Sequence, residues 1–507
     1  MSDEEEGRKE GRKALKPNAT HRKKSLFIMS SDGALLELVR RGKKDSFFLS
    51  NSDTTPVRAN CAQQDILRRS PTVRDIRIQQ PLGAAQFGTW VDVELPRTGD
   101  ILTTAEIRIR LPTWLPADVA AINRAGVRTI EVGSLTRKAR YGWTNRIANV
   151  LVERWALFAD EVIVADGFGF VNGWVGDSET THLHAPLLHS TTGSHAGTAR
   201  DIQSAATPPE LVFRLPLPGC QAVESIADVG LPLCALKQQR LYVRLWLRPL
   251  SALVESSVLA TVTAPGPGVA AGPVYDVCPA PWNGRAIFID GSGTPYVTLS
   301  ESAMGPLVLY GRFGVLHCEE ELRSALVAKI HTIPFRQQQR EDFTLDTLDW
   351  TPSARVRHRM DIQGYFQSLL VGIQSQARRL QNKYTDLTPP GPGPGPVWID
   401  TVGLEVNSTS RVYPWSPTVI RELANTISMR RDVDTSLLYM VFGVVEEGEI
   451  AGACNLSRTH KAELQLQLAT VLADPALPTS RIAFATIIGL SWNVMDIRNG
   501  ACKRMFE

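Results

Sequence analysis

The stretch DSETTHLHAPLLHSTTGSH gathers Asp177, Glu179, His182, His184, His189 and His195, so that four of the chain's nine histidines fall within fourteen residues. Imidazoles two residues apart on a strand share a face, and a carboxylate beside them would complete the donor set of a zinc-type site. The surrounding Ser, Thr, Pro and Gly residues mark a loop, however, and no residue is in place to orient the rings. The cluster is read as a loop without a metal. DGFGFVNGW (166 to 174) has neither the GxGxxG nor the GxxxxGK[ST] spacing, so no nucleotide or phosphate cradle is expected. There is no GxSxG elbow and no HExxH, and a Ser, His and Asp triad assembled from scattered residues would carry no weight. No catalytic, cofactor-binding or metal residue is assigned, and the chain is not expected to be an enzyme. Trp90, Trp114, Trp155, Trp174, Trp246 and Trp350 could stack on sugars, but core and interface packing accounts for them more simply. Sequons at Asn18, Asn407 and Asn455 are read as chance matches, because no secretory signal is expected in MSDEEEGRKEGRKALK.

These side chains must be carried on a frame, and composition limits what it is. At roughly 150 residues per domain, 507 residues make three domains, or two large all-β units. Lys+Arg 55 against Asp+Glu 52 leaves +3, too balanced for a surface built to grip nucleic acid, so no specific nucleic-acid binding is expected. With 43% hydrophobic residues the chain can build a sizeable core. The longest apolar runs, such as 437–445, fall far short of the roughly 20 residues that cross a bilayer. Seven cysteines without a CxxC pair read as buried thiols and not as a disulfide framework.

The recurring pattern is period two. Val91, Val93 and Leu95 alternate with Asp92 and Glu94; Ile107, Ile109 and Leu111 with Arg108 and Arg110. Leu241, Val243, Leu245 and Leu247 alternate with Tyr242, Arg244, Trp246 and Arg248, and Leu464, Leu466 and Leu468 with Gln465 and Gln467. Each run predicts a strand with one face inward. The run 147–167 is apolar on both faces, as for a strand covered on two sides. Helix signals are few: Val419, Ile420, Leu423 and Ile427 after Ser416 and Pro417, and a short one opening at Glu319, Glu320, Glu321 and Leu322. The segment 366–380 fits either period. Strands do not alternate with long helices, so a parallel α/β sheet is excluded and antiparallel sandwiches remain, one in each half. TAPGPGVAAGP (263 to 273) is taken as the joint between halves, and TPPGPGPGP (388 to 396) as a loop in the later half. Residues 1 to 24 hold eight basic and five acidic residues and read as a solvated arm.

Several segments, taken in order, resemble the major capsid protein of nucleocytoplasmic large DNA viruses. GALLELVRRGKKDSFFLSN (33 to 51) is similar to the family's opening segment, and VELPRTGDILTTAEIRIRLP (93 to 112) to its Arg-x-Gly-Asp-Leu stretch. NRIANVLVERWALFADEVIVADGFGFVNGW (145 to 174) follows. FRLPLP (213 to 218) with LPLCALKQQRLYVRLWLRPL (231 to 250) is the most specific pairing. GACNLSRTHKAELQLQL (452 to 468) and LSWNVMDIRNGACKRMFE (490 to 507) complete the series. The chain departs from the family at 54 to 60, at Thr459 and His460, and in its charged arm.

The resemblance implies an all-β double jelly roll: two consecutive eight-stranded antiparallel jelly rolls with long loops and a few short helices. Its expected divisions are an arm at 1–30, a first jelly roll at 31–252, a Pro/Gly-rich linker and loop at 253–306, and a second jelly roll at 307–507. It further implies a homotrimer forming a pseudo-hexagonal capsomer, with neighbouring capsomers as partners in an icosahedral shell. Minor capsid proteins and an internal membrane would be met through the arm, and the location would be the virion, after assembly in the host cytoplasm. Loops at 175–210, 253–306 and 385–399 would form the outward crown. The alternatives are a minor capsid paralogue and a carbohydrate-binding β-sandwich.

Overall fold

The computed structural model describes residues 73–112, 129–132, 135–137, 141–179, 192–193, 210–220, 230–256, 260–263, 274–277, 283–289, 295–300, 306–345, 355–380, 382–387, 398–428, 437–446, 449–451, 453–457, 459, 461–469 and 483–506. The charged arm, the opening segment at 33 to 51, the histidines at 182 to 195 and the tract at 388 to 396 lie outside the described residues.

Eight strands build the first sandwich: β1 (Val73–Gln79), β2 (Trp90–Glu94), β3 (Ile101–Arg110), β4 (Val152–Ala159), β5 (Val162–Phe168), β6 (Leu211–Arg214), β7 (Leu241–Leu247) and β8 (Val308–His317). One sheet runs β1-β8-β3-β6, with the two-residue strand Leu231–Pro232 also on β3, and the other runs β2-β7-β4-β5. The second sandwich repeats the scheme with β9 (His331–Leu345), β10 (Arg355–Arg359), β11 (Tyr365–Ser375), β12 (Ile399–Val406), β13 (Thr409–Trp415), β14 (Leu437–Val441), β15 (Ala462–Leu468) and β16 (Ala483–Arg498). Its sheets run β9-β16-β11-β14 and β10-β15-β12-β13. Adding eight to each strand number of the first sandwich gives the second.

The alternating runs form these strands because each has one face to bury. Val91, Val93, Ile107, Ile109, Val243 and Leu245 lie in one core, and Leu464, Leu466 and Leu468 lie in the other with Phe366, Val402 and Ile487. The run 147–167 is not one strand. Ile147–Leu151 is a short buried helix, α1, and β4 begins at Val152. Four more helices are α2 (Gly169–Glu179), α3 (Glu320–Ala328), α4 (Gln376–Leu380) and α5 (Pro417–Ser428). The ambiguous segment 366–380 proves to be both things in turn, strand β11 to Ser375 and then α4.

Three expectations about the division of the chain are corrected. The second jelly roll does not start at 307: β8 lies between β1 and β3 in the first sandwich, with Phe313 and Val315 in its core. The chain crosses at α3, whose Leu322 and Leu326 pack on Ile101, Cys234 and Leu316. The Pro/Gly-rich run at 263 to 273 is not the joint either. The strands flanking it, Ala260–Thr263 and Val274–Val277, pair antiparallel with each other, so it spans a hairpin. Nor is 253–306 only a linker, because Asn283–Ile289 and Pro295–Ser300 form a sheet with Thr129–Val132 and Leu135–Arg137.

Candidate assembly surface

Two sandwiches in one chain must meet, and the residues at their seam define how this molecule makes contacts. Strand β5 is the last strand of its sheet and β9 the first of its own, and the two abut. The Phe168 amide donates to Gln338 Oε1 at 2.8 Å, while Gln338 Nε2 donates to Asn172 Oδ1 at 2.9 Å. Gln338 is 9% exposed, and its amide is satisfied on both sides, as burial requires. A Cβ at Gly167 would stand 2.7 Å from Gln338 Oε1 and 2.9 Å from Trp155 Nε1, so a larger residue would have to displace the Gln338 amide. The Arg340 guanidinium lies over the rings of Phe168 (5.6 Å) and Phe170 (4.9 Å). Asp166 receives Arg154 at 3.0 Å and Arg504 at 3.4 Å, the latter from the strand Ala501–Arg504 that closes the second sandwich. A groove of about 480 Å³ runs along this seam, lined by Arg154, Asp166, Arg340, Glu341 and Asp361 among others. Its walls carry both charges: Arg154 pairs with Asp166, Arg340 with Asp342, and Glu341 with His358.

Next to the groove, α2 follows β5 directly and lies on the outer face of the β9-β16-β11-β14 sheet. Phe170, Val171 and Trp174 pack with Leu370, Tyr439, Ile488 and Leu490. The Phe170 and Trp174 rings meet edge to face at 5.3 Å, and the indole fills the space left by Gly372. At the other side of the seam, Ile333, Phe335, Met495 and Ile497 of the second sandwich belong to the core of the first. The crossing is fixed by Asp100, 3% exposed, which accepts from the Cys318 amide (2.7 Å) and from Arg323 Nε (2.7 Å) and Nη2 (3.2 Å).

The outer face of β2-β7-β4-β5 carries a ladder of cations and rings. Arg244 donates to both oxygens of Asp92 (2.7 and 2.9 Å) and lies 4.2 Å from the Trp90 ring centroid. Phe158 stacks on Tyr242 at 5.1 Å, and Arg240 pairs with Glu94. The polar half of the β7 pattern is thus an ordered surface.

The sequence-level candidates distribute as follows. Trp155 and Trp174 are buried, Trp246 is half-buried under Arg154, and Trp90 is 53% exposed; Trp114 and Trp350 lie outside the described residues. Asn407 forms the β12-β13 turn. Among the described residues no three His, Cys, Asp or Glu side chains converge on a metal position. Burial pushes the thiols of Cys220 and Cys502 up to about 12 and that of Cys234 to about 11, so none is a thiolate at neutral pH. What sequence reasoning missed is a second apolar surface: Tyr413, Trp415, Val419 and Leu423, all at least 39% exposed within eleven residues. The run of exposed aromatics around Pro414 was the available signal.

Two side-by-side sandwiches with this strand order are a double jelly roll. No protein-family model matches the chain, and no curated protein matches it. Solved structures do. The chain is similar to VP54 of PBCV-1, as fitted into a reconstruction of the virophage Sputnik, with a TM-score of 0.60 and 13% identity over 87% of this chain and 98% of that one. It is similar to the Faustovirus major capsid protein (TM-score 0.52, 10% identity, 85% and 91% covered). A chain of the Sputnik virophage particle matches with a TM-score of 0.51 and 9% identity, 86% and 89% covered.

Proposed function

We propose that the chain is a structural protein of a viral capsid. Three copies close into a pseudo-hexagonal capsomer, and capsomers tile an icosahedral shell. The observation that carries this reading is the repeated architecture: two sandwiches of identical strand order locked edge to edge, matching capsid chains over nearly their whole length. Its work is shape and surface complementarity, without a reaction. The arm at 1–30 faces the interior and meets minor capsid proteins or a membrane surface through its eight basic residues at 1 to 24. Assembly takes place in the host cytoplasm, and the protein resides in the virion.

Size-exclusion chromatography with light scattering on the full chain tests this. Three times the chain mass is expected. A stable monomer that captures glycans saturably would replace the capsid reading with the carbohydrate-binding one. The arm's placement is checked by limited proteolysis: clipping in assembled particles as fast as in free capsomers would remove it from the interior.

A further inference from the structure

We propose that β10, the edge strand of the second sandwich, is a binding site for an extended acidic segment of a partner protein. The segment adds to the sheet as a further strand and sets its carboxylates against Arg355, Arg357 and Arg359. The inference rests on this surface and not on the capsid reading.

Strand β10 alternates in burial as it does in charge. Val356 packs on the core of the second sandwich, and His358 lies on the same side, its ring stacked on Phe343 at 3.9 Å and its Nε2 2.7 Å from Glu341 Oε1. Arg355, Arg357 and Arg359 are all exposed on the outer face. Alternate residues of a strand stand about 6.8 Å apart, so the guanidinium groups leave β10 at that repeat. The register sets what they face. Arg355 lies opposite Gln467 and Arg357 opposite Gln465; Arg359 has an acid across from it, Glu463. That acid is held by Lys461 at 2.8 Å, and the next one on this face, Glu405, accepts from Gln465. Among the described residues neither Arg355 nor Arg357 has an ion-pair partner.

The first sandwich treats the same face differently. Its edge strand β2 carries Asp92 and Glu94, which lie beside β7 and take up Arg244 and Arg240. The counterparts of β2 and β7 are β10 and β15, where the edge strand carries the cations and its neighbour carries amides. An acidic strand beside an arginine strand is thus complete in the first sandwich. In the second, the place for one is the open side of β10.

The backbone there is free to pair. The Met360 amide donates to the Ala462 carbonyl at 2.8 Å, so in this antiparallel ladder His358 and Val356 also turn their peptide groups toward β15. The three arginines turn theirs the other way, where no strand pairs among the described residues. The matching side of β2 already accepts a further segment, since the Leu82 amide donates to the Asp92 carbonyl at 2.8 Å. An antiparallel strand added to β10 puts a residue directly opposite each arginine, with both side chains on the outer face. Its alternate positions share the repeat of the arginines, so Glu or Asp at every second position meets each guanidinium in turn, in the paired geometry that the two groups favour. The same charges repel a second basic edge and so select an acidic one. A single-stranded nucleic acid would need rings between the cations on which to stack its bases, and the intervening side chains face inward.

The test uses the full chain and fluorescence anisotropy of a labelled peptide in which Glu alternates with Thr and Val. This peptide should bind, and more weakly as salt rises. Versions with Gln for Glu, or with the same Glu residues gathered in one block, should bind at least tenfold more weakly. Methylating the peptide's backbone amides should abolish binding, because strand addition needs them. Arg355→Glu with Arg357→Glu should lose the Glu peptide and gain its Lys counterpart. Both positions are exposed, so near-ultraviolet circular dichroism should match the parent; Arg355→Gln with Arg357→Gln, expected to lose at least tenfold, serves if the reversed form does not fold. Equal binding by parent and variants would overturn the site. Binding indifferent to methylation would overturn the added strand. An oligothymidylate bound more tightly than the peptide, and lost in the same variants, would replace the acidic segment by a nucleic acid.

Discussion

Asp100 shows what one side chain does at the crossing between sandwiches. Burial alone would raise its pKa, but the Arg323 hydrogen bond, the Cys318 amide and the Arg323 charge together hold the carboxyl below its ordinary 3.8. A carboxyl depressed in the folded state stabilises fully above its unfolded pKa, and that stabilisation is lost as pH falls through the folded value. Asp100→Asn should therefore lose about 1.5–3 kcal/mol at neutral pH, the range for hydrogen bonds to a charged group, and much less in acid. Urea unfolding at the two pH values checks this; an equal loss at both would mean that charge is not what Asp100 contributes. The Arg-Thr-Gly-Asp sequence was legible as a motif, but its partner lies 223 residues away and no spacing points to it. Gly489 is a second case. The Phe366 ring, fully buried, stands where a Cβ on Gly489 would be, so Gly489→Ala should cost about 1–3 kcal/mol through overpacking, read as a lower denaturant midpoint with an unchanged slope.

Elements were legible wherever one face had to be buried. The alternations in β2, β3, β7 and β15 mark real strands with the apolar face inward, and the spacing of α5 marks a real helix, although of its apolar face Ile420 is buried and Val419 and Leu423 stay exposed. Partnership is not local. Nothing in the period of β8 tells which sheet it joins, and its partner β1 lies more than two hundred residues earlier in the chain. The composition of 263 to 273 is equally silent on partnership, since Pro and Gly break elements as well in a linker as between two paired strands. Turn chemistry is local as well: Asn407 and Ser408, and Asn499 and Gly500, all take positive φ and form the two-residue turns that Asn favours. Packing between elements gives a further prediction. Gly372→Leu puts a side chain where the Trp174 ring sits and should pry α2 from β11. The tryptophan emission is expected to shift to the red, and unfolding to broaden or split. A single sharp transition at the parent midpoint would mean that α2 adds little to the seam.

At the scale of the molecule, the question is whether two jelly rolls form one cooperative body or two beads. The seam argues for one body. Phe170 and Trp174 of the first sandwich are buried on the second, while Ile333, Phe335, Met495 and Ile497 of the second complete the core of the first. Each such side chain returned to water forgoes about 1.5–3 kcal/mol, so six together rival the roughly 5–15 kcal/mol by which a protein is stable at all. Expressed separately, residues 1–329 and 330–507 should therefore bind a hydrophobic dye, unfold without a sharp transition and precipitate. This division keeps α3 with the sandwich on which it packs, so neither half loses an element of its own. Co-expressed, the halves should form a one-to-one complex with the near-ultraviolet circular dichroism of the intact chain, because every seam contact is noncovalent and can re-form. Two soluble halves, each melting sharply on its own, would show instead that every sandwich closes its own core. The seam would then be a docking contact between two units that fold independently.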